Sequence, residues 1–198
     1  MSYIELHTDS RYSDTLSFFG PEELVAVCKR FGCDAVAITD RNSVQAYLSA
    51  EAEAQKRGIR LIYGLTIDCL DNDDRYAVTL LAKTETGRNN IFALIRLLNK
   101  NMDSIGRCIT RGQLENHCTG LLVGATAESG QLSRGILLRK SVSYLKKAAK
   151  FYDYIEVAPE PYDVSSRLCS LAQQCSIPLC AVQNARLRDE TDVARYHA

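Results

Sequence analysis

The residues best suited to chemistry stand at the ends of two apolar runs. His7 follows the strand-like stretch "SYIEL", and Asp9 comes two residues later. Asp40 closes the run "CDAVAITD", with Arg41 directly after it. Imidazole nitrogens and carboxylate oxygens ligate zinc, manganese or iron, so His7, Asp9 and Asp40 are candidates for a divalent metal site. An H-x-H pair is the simpler form of such a site, and here Asp9 takes the place of the second His. Plainer roles suit the same residues. His7 fits a strand-end histidine bonded to backbone, and Asp40 in "TDRNS" fits the cap of a following helix.

These side chains are positioned by β-rich runs that alternate with helical patterns. "SYIEL" reads as a strand and "PEELVAVCKRFG" as a helix, with Pro21 at its start, two glutamates in the first turn and Gly32 at its end. The series continues with strand "CDAVAITD", helix "SVQAYLSAEAEAQKRG", strands "IRLIYGLTI" and "YAVTLLAK", and helix "GRNNIFALIRLLNKN". Strand "TGLLVGAT", helix "SVSYLKKAAKFY" capped by Ser141, strand "DYIEVAP", helix "VSSRLCSLAQQC" and strand "IPLCAVQ" follow. The tail "RDETDVARYHA" looks like the start of another helix. Repeated βα units predict a parallel sheet with right-handed crossovers. About seven strands in one series favour a barrel over a doubly wound sheet, although the pattern itself fits both. In either case chemistry gathers where strands end. "DNDDR" reads as a solvated hairpin turn and "MDSIGRCITRG" as a loop.

Composition narrows the classes. The chain has 198 residues, 46% of them apolar, with 24 basic and 24 acidic side chains. That suits a single domain spanning residues 1–198 and argues against a dedicated nucleic-acid binder, which is usually basic. Eight cysteines include no C-x-x-C pair and several lie in apolar runs, so they read as buried thiols in a reducing cytoplasm. No apolar run reaches the ~20 residues of a membrane span. Walker, G-x-G-x-x-G, G-x-S-x-G and H-E-x-x-H motifs are absent. A phosphate at the "GRNN" helix entry near Arg88, and DNA backbone along Lys146, Lys147 and Lys150, are weaker readings than capping and a solvated face. Tyr144, Tyr152 and Tyr154 read as packing.

Seven stretches, in order, resemble a known family: "ELH…S..S", "AVAITDR", "IRLIYGLTI", "VTLLAKTETGRNNIFALIRL", "GLLVGATAESGQL", "FYDYIEVAP" and "IPLCAVQNARLRDETD". The chain is similar to the PHP (polymerase and histidinol phosphatase) domain, most of all that of the PolC-type alpha subunit of bacterial DNA polymerase III. The resemblance implies an α/β fold, a distorted (β/α)7 TIM-like barrel. It also implies, in intact members, a trinuclear metal cluster that hydrolyses phosphate esters. It implies a longer polymerase parent whose core is this domain's partner, with docking of a proofreading exonuclease and only indirect contact with DNA. An exonuclease inserted near the middle of the PolC-type barrel has no counterpart here, where "IDCLDNDDRYAV" joins the strands directly.

Carried over residue by residue, His7 matches the first His of the pair, Asp9 the second, and Asp40 the family Asp. Arg41 stands where that Asp is followed by His. Thr66 replaces a bridging Glu, Ala77 a His, Ala127 a Cys or His, and Arg186 the last His. The resemblance therefore implies a degenerate site: His7, Asp9 and Asp40 as a remnant, with zinc, manganese or iron the only cofactors to consider and none expected. A guanidinium cannot ligate a metal but pairs well with carboxylates, so Arg41 and Arg186 are expected to replace metal charge, unless they are plain surface residues. The expected function is structural or partner-docking, with hydrolysis lost. The alternative is a stand-alone phosphoesterase that keeps one or two metals.

Overall fold

The structure is a computed structural model, and it describes residues 4–159 and 161–183. The described residues divide into two compact units, one within residues 4–65 and the other within residues 66–183.

The first unit holds β1 (Ile4–Glu5), α1 (Pro21–Arg30), β2 (Ala35–Ile38), α2 (Tyr47–Arg57) and the first half of β3 (Arg60–Asp71). The three strands pair in parallel, Ile4 opposite Ala35 and Ala35 opposite Arg60. All four β2 residues are fully buried, as expected of a parallel strand covered on both faces. Pro21 opens α1 with a fixed helical φ, and the Gly20 N–H donates to Glu23 Oε2 at 2.7 Å. α2 begins at Tyr47, four residues after the Ser43 start of the sequence pattern, because turns occupy Asn42 and residues 45–46, and Asn42 adopts φ 56°. Gly58 ends α2 at φ 61°, a conformation that glycine tolerates without strain.

The second unit holds the rest of β3, β4 (Asp74–Ala82), α3 (Glu85–Lys100), α4 (Met102–Ile105), β5 (Ile109–Thr110), α5 (Arg111–Glu115) and β6 (Leu121–Ala125). It continues with α6 (Gln131–Leu137), α7 (Val142–Ala149), β7 (Tyr154–Val157), α8 (Tyr162–Cys175) and β8 (Leu179–Ala181). Its strand order is β3-β4-β6-β7-β8, with β5 alongside β3. β6, β7 and β8 are parallel, but β4 meets β6 antiparallel, Val78 opposite Ala125. This corrects the uniformly parallel series read from the sequence. A two-residue turn at Asn72–Asp73, with Asn72 at φ 55°, replaces a helical crossover between β3 and β4 and reverses the chain.

The stretch 102–112, expected as loop, carries α4, β5 and the start of α5. Asn101 holds it together by donating from Nδ2 to Cys108 O at 3.0 Å and to Gln113 Oε1 at 2.8 Å. Thr110 caps α5 reciprocally with Gln113. α6, unassigned from sequence, packs on β4, α7 and α8 through buried Leu132 and Ile136. α7 is capped as expected, Ser141 accepting from Tyr144 N–H. All eight cysteines carry free thiols, and among the described residues no helix is long and apolar enough to cross a membrane.

Candidate functional site

In the first unit, β1 and β2 end side by side and deliver two segments, 7–10 and 39–40, into the interior. His7, Thr8, Asp9, Ser10, Thr39 and Asp40 are all buried. Thr8 and Thr39 lock the segments together. Each backbone N–H is satisfied across the pair, Thr8 N–H by Thr39 Oγ1 and Thr39 N–H by Thr8 O, both at 3.0 Å. Thr8 Oγ1 donates to Ala37 O and extends the strand pairing past the end of β1.

Beyond this clasp each carboxylate has its own set of hydroxyl donors. Ser10 donates its N–H to Asp40 Oδ1 at 2.5 Å and its Oγ–H to Asp40 Oδ2 at 2.6 Å. Asp9 accepts from Ser13 Oγ at 3.0 Å and from Thr15 Oγ1 at 2.9 Å, and those two hydroxyls lie 2.7 Å apart. Ser17 Oγ donates to Asp9 O at 2.7 Å. Burial pushes the Asp40 carboxyl up to about 6; the bonds from Ser10 pull the other way, and the nearby Asp9 charge pushes it higher. So His7, Asp9 and Asp40 lie in one unit. The surroundings of the two carboxylates are hydroxyl rather than ionic in these contacts.

Arg41 is half-buried; its N–H donates to Ser13 Oγ at 2.8 Å and its carbonyl accepts from Asp14 N–H. Arg186 lies outside the described residues, as do His197 and the tail. Asp40 does not cap α2, whose N-cap is Ala46. Ser10, Ser13 and Thr15 were missed as site residues. Their signal was the run of hydroxyls between Thr8 and Ser17, visible in "HTDSRYSDTLS".

In the second unit, Thr66 on β3 is buried and its Oγ1 has no hydrogen-bond partner. Ala77 is buried on β4, its N–H bonded to Ser129 O at 2.9 Å. Ala127 follows β6 and donates its N–H to Glu156 Oε2 at 3.2 Å. Glu156 is a carboxylate fully buried on β7. Tyr154 O–H donates to its Oε1 at 3.5 Å, and burial raises the Tyr154 phenol well above its usual range. His117 sits after α5 with Nδ1 2.7 Å from Gln113 O. Arg88, at the supposed phosphate position, pairs with Glu85 at 2.7 Å inside α3.

In the second unit, Thr66, Ala77 and Ala127 carry a hydroxyl and two methyl groups, none of them a carboxylate, imidazole or thiolate donor. Among the described residues, no group of three or more His, Cys, Asp or Glu side chains is arranged to hold a metal ion.

Comparison with known proteins agrees with the resemblance. The profile of the PHP domain matches residues 5–160. A DNA polymerase III PolC-type of Bacillus subtilis is 28% identical over 89% of this chain, and that of Halalkalibacterium halodurans is 32% identical over 57%. The chain spans only 14% and 9% of the length of those two relatives. Among solved structures, a Bifidobacterium adolescentis protein named for the metal-dependent phosphoesterases shares the fold at TM-score 0.63 and 13% identity, over 98% of this chain and 95% of that one. An amidohydrolase from Chromobacterium violaceum with bound sulfate and no metal aligns at TM-score 0.58 and 13% identity, over 94% and 88%. With the matched profile covering most of its length, this α/β chain belongs to the PHP domain family.

Proposed function

We propose that this chain is a degenerate PHP domain that serves as a structural or partner-docking module of a replicative DNA polymerase, without phosphoesterase activity of its own. One observation carries the reading: the carboxylates of Asp9 and Asp40 are bonded by Ser10, Ser13 and Thr15 hydroxyls. A cluster of divalent ions needs those oxygens and further His, Asp or Glu ligands. The similarity to PolC-type polymerases supports the parent and the partners, namely a polymerase core in the same chain and a proofreading exonuclease. Arg41 and Arg186 supply fixed positive charge in place of lost cations. The eight thiols suit a cytoplasmic location.

The test is to purify the chain, quantify bound zinc, manganese and iron, and assay phosphomonoester and DNA 3′-end hydrolysis with added manganese. The reading expects metal well below stoichiometric and no turnover above that of His7→Ala. Stoichiometric metal with turnover abolished by His7→Ala establishes instead a phosphoesterase that retains one or two ions on His7, Asp9 and Asp40. The Asp9 charge acting on the buried Asp40 carboxyl, which it pushes upward, favours that second reading.

A further inference from the structure

We propose that a cleft in the second unit, between the β3–β4 turn and α7, binds a phosphorylated small molecule of nucleotide size. Its volume is about 870 Å³, the size of pocket that takes a whole metabolite rather than a single ion. None of its lining residues belongs to the Asp9 and Asp40 cluster.

The floor is built in advance of any ligand. Arg111 donates from Nε to Glu115 Oε1 at 2.8 Å and from Nη1 to Tyr76 OH at 3.1 Å. Its guanidinium carbon lies 3.3 Å from the Phe151 ring centroid, so the cation is held in one place. Gln131, only 6% exposed, accepts from Tyr152 O–H on Oε1 at 3.0 Å. That bond occupies Oε1, and among the described residues Nε2 of this cleft-lining amide has no protein acceptor. Arg134, one turn along α6, is 3.6 Å from Asp74 through Nη2, and its buried Nε has no acceptor.

Both signs line the cleft. Lys140 and Lys147, just before and within α7, have no carboxylate partner among the described residues. Asp71 and Asp73 come from the end of β3 and the turn after it. Clustered guanidinium, ammonium and amide donors match the oxygens of a phosphate group. The carboxylates match hydroxyl or amino donors on the remainder of the same ligand. A nucleotide or a sugar phosphate carries both, and inorganic phosphate carries only the first.

The experiment is calorimetric titration of the full chain with adenosine 5′-monophosphate, ribose 5-phosphate, inorganic phosphate and adenosine. Saturable binding of at least one of the two organic phosphates is expected, with inorganic phosphate and adenosine at least about tenfold weaker. Lys147→Glu and Arg134→Gln should each weaken binding by roughly tenfold or more, the loss expected for one charge-assisted bond. Lys147 is exposed and Arg134 half-buried, and circular dichroism checks that both variants fold. Lys100→Glu, an equal charge change on α3, should leave binding unaltered. No saturation by either organic phosphate at about 10 mM overturns the proposal. So does equal affinity for inorganic phosphate, binding unchanged in both cleft variants, or binding of a single-stranded oligonucleotide in place of the small molecules.

Discussion

Asp40 is a carboxylate kept fully buried with Ser10 as its named donor, and its titration follows from that. Its ordinary value of 3.8 rises to about 6 in the fold. A group whose folded value is raised contributes stability that is complete below the unfolded value, here about pH 4, and lost as pH rises through about 6. The loss is on the order of 3 kcal/mol. Asp40→Asn removes the buried charge and keeps an acceptor for the Ser10 N–H. Urea unfolding at pH 5 and pH 7.5 should show the wild type less stable at the higher pH, and the variant nearly flat and more stable there by about 1–3 kcal/mol. Ser13→Ala and Thr15→Ala each remove one donor from Asp9 and should cost about 1 kcal/mol in the same measurement. At this scale the sequence showed the acids but not their partners. His7, Asp9 and Asp40 stand at strand ends and announce themselves. That Ser10 bonds Asp40 could not be read, because the two are 30 residues apart and meet only through the register of β1 on β2.

The elements depend on a few close approaches. Gly124 on β6 lies under the Tyr154 ring of β7, where an added Cβ would come within 2.4 Å of the ring. Gly124→Ala should destabilise by more than about 2 kcal/mol in thermal or urea unfolding, and a second substitution, Tyr154→Ala, should recover part of that loss. Ser141→Ala removes the cap of α7 and should cost about 1 kcal/mol. α1, α3, α7 and α8 were legible because each is long enough for its apolar stripe and end signals to repeat. α4 and α5 have 4 and 5 residues, too few for a period to declare itself, and their stability comes from the Asn101 and Gln113 side chains. α6 was hidden by its composition: Gly135 interrupts it, and a Cβ there would meet Leu145 of α7 at 2.8 Å. The hairpin turn at "DNDDR" was legible, but the antiparallel pairing of β4 with β6 was not, because a strand pattern looks alike whether its next partner runs parallel or antiparallel.

On the scale of the whole chain, no covalent cross-link constrains the fold. Eight thiols should titrate with Ellman's reagent after unfolding without reductant, and dithiothreitol should leave the melting temperature unchanged. In the native protein Cys28 and Cys69 should react slowly, because burial pushes both thiols up to about 12. The balance of 24 basic and 24 acidic groups leaves room for local clusters, such as the lysines and aspartates that line one cleft beside α7. The two-residue turn at Asn72–Asp73 has a further consequence. Its flanking strands are neighbours in the sheet, so the chain leaves and re-enters within about 5 Å. A guest protein with adjacent termini can be spliced into that corner without parting β3 from β4. The host would keep its hydrogen-bonded ladder, and the passenger would sit directly over the acidic residues of the neighbouring cleft.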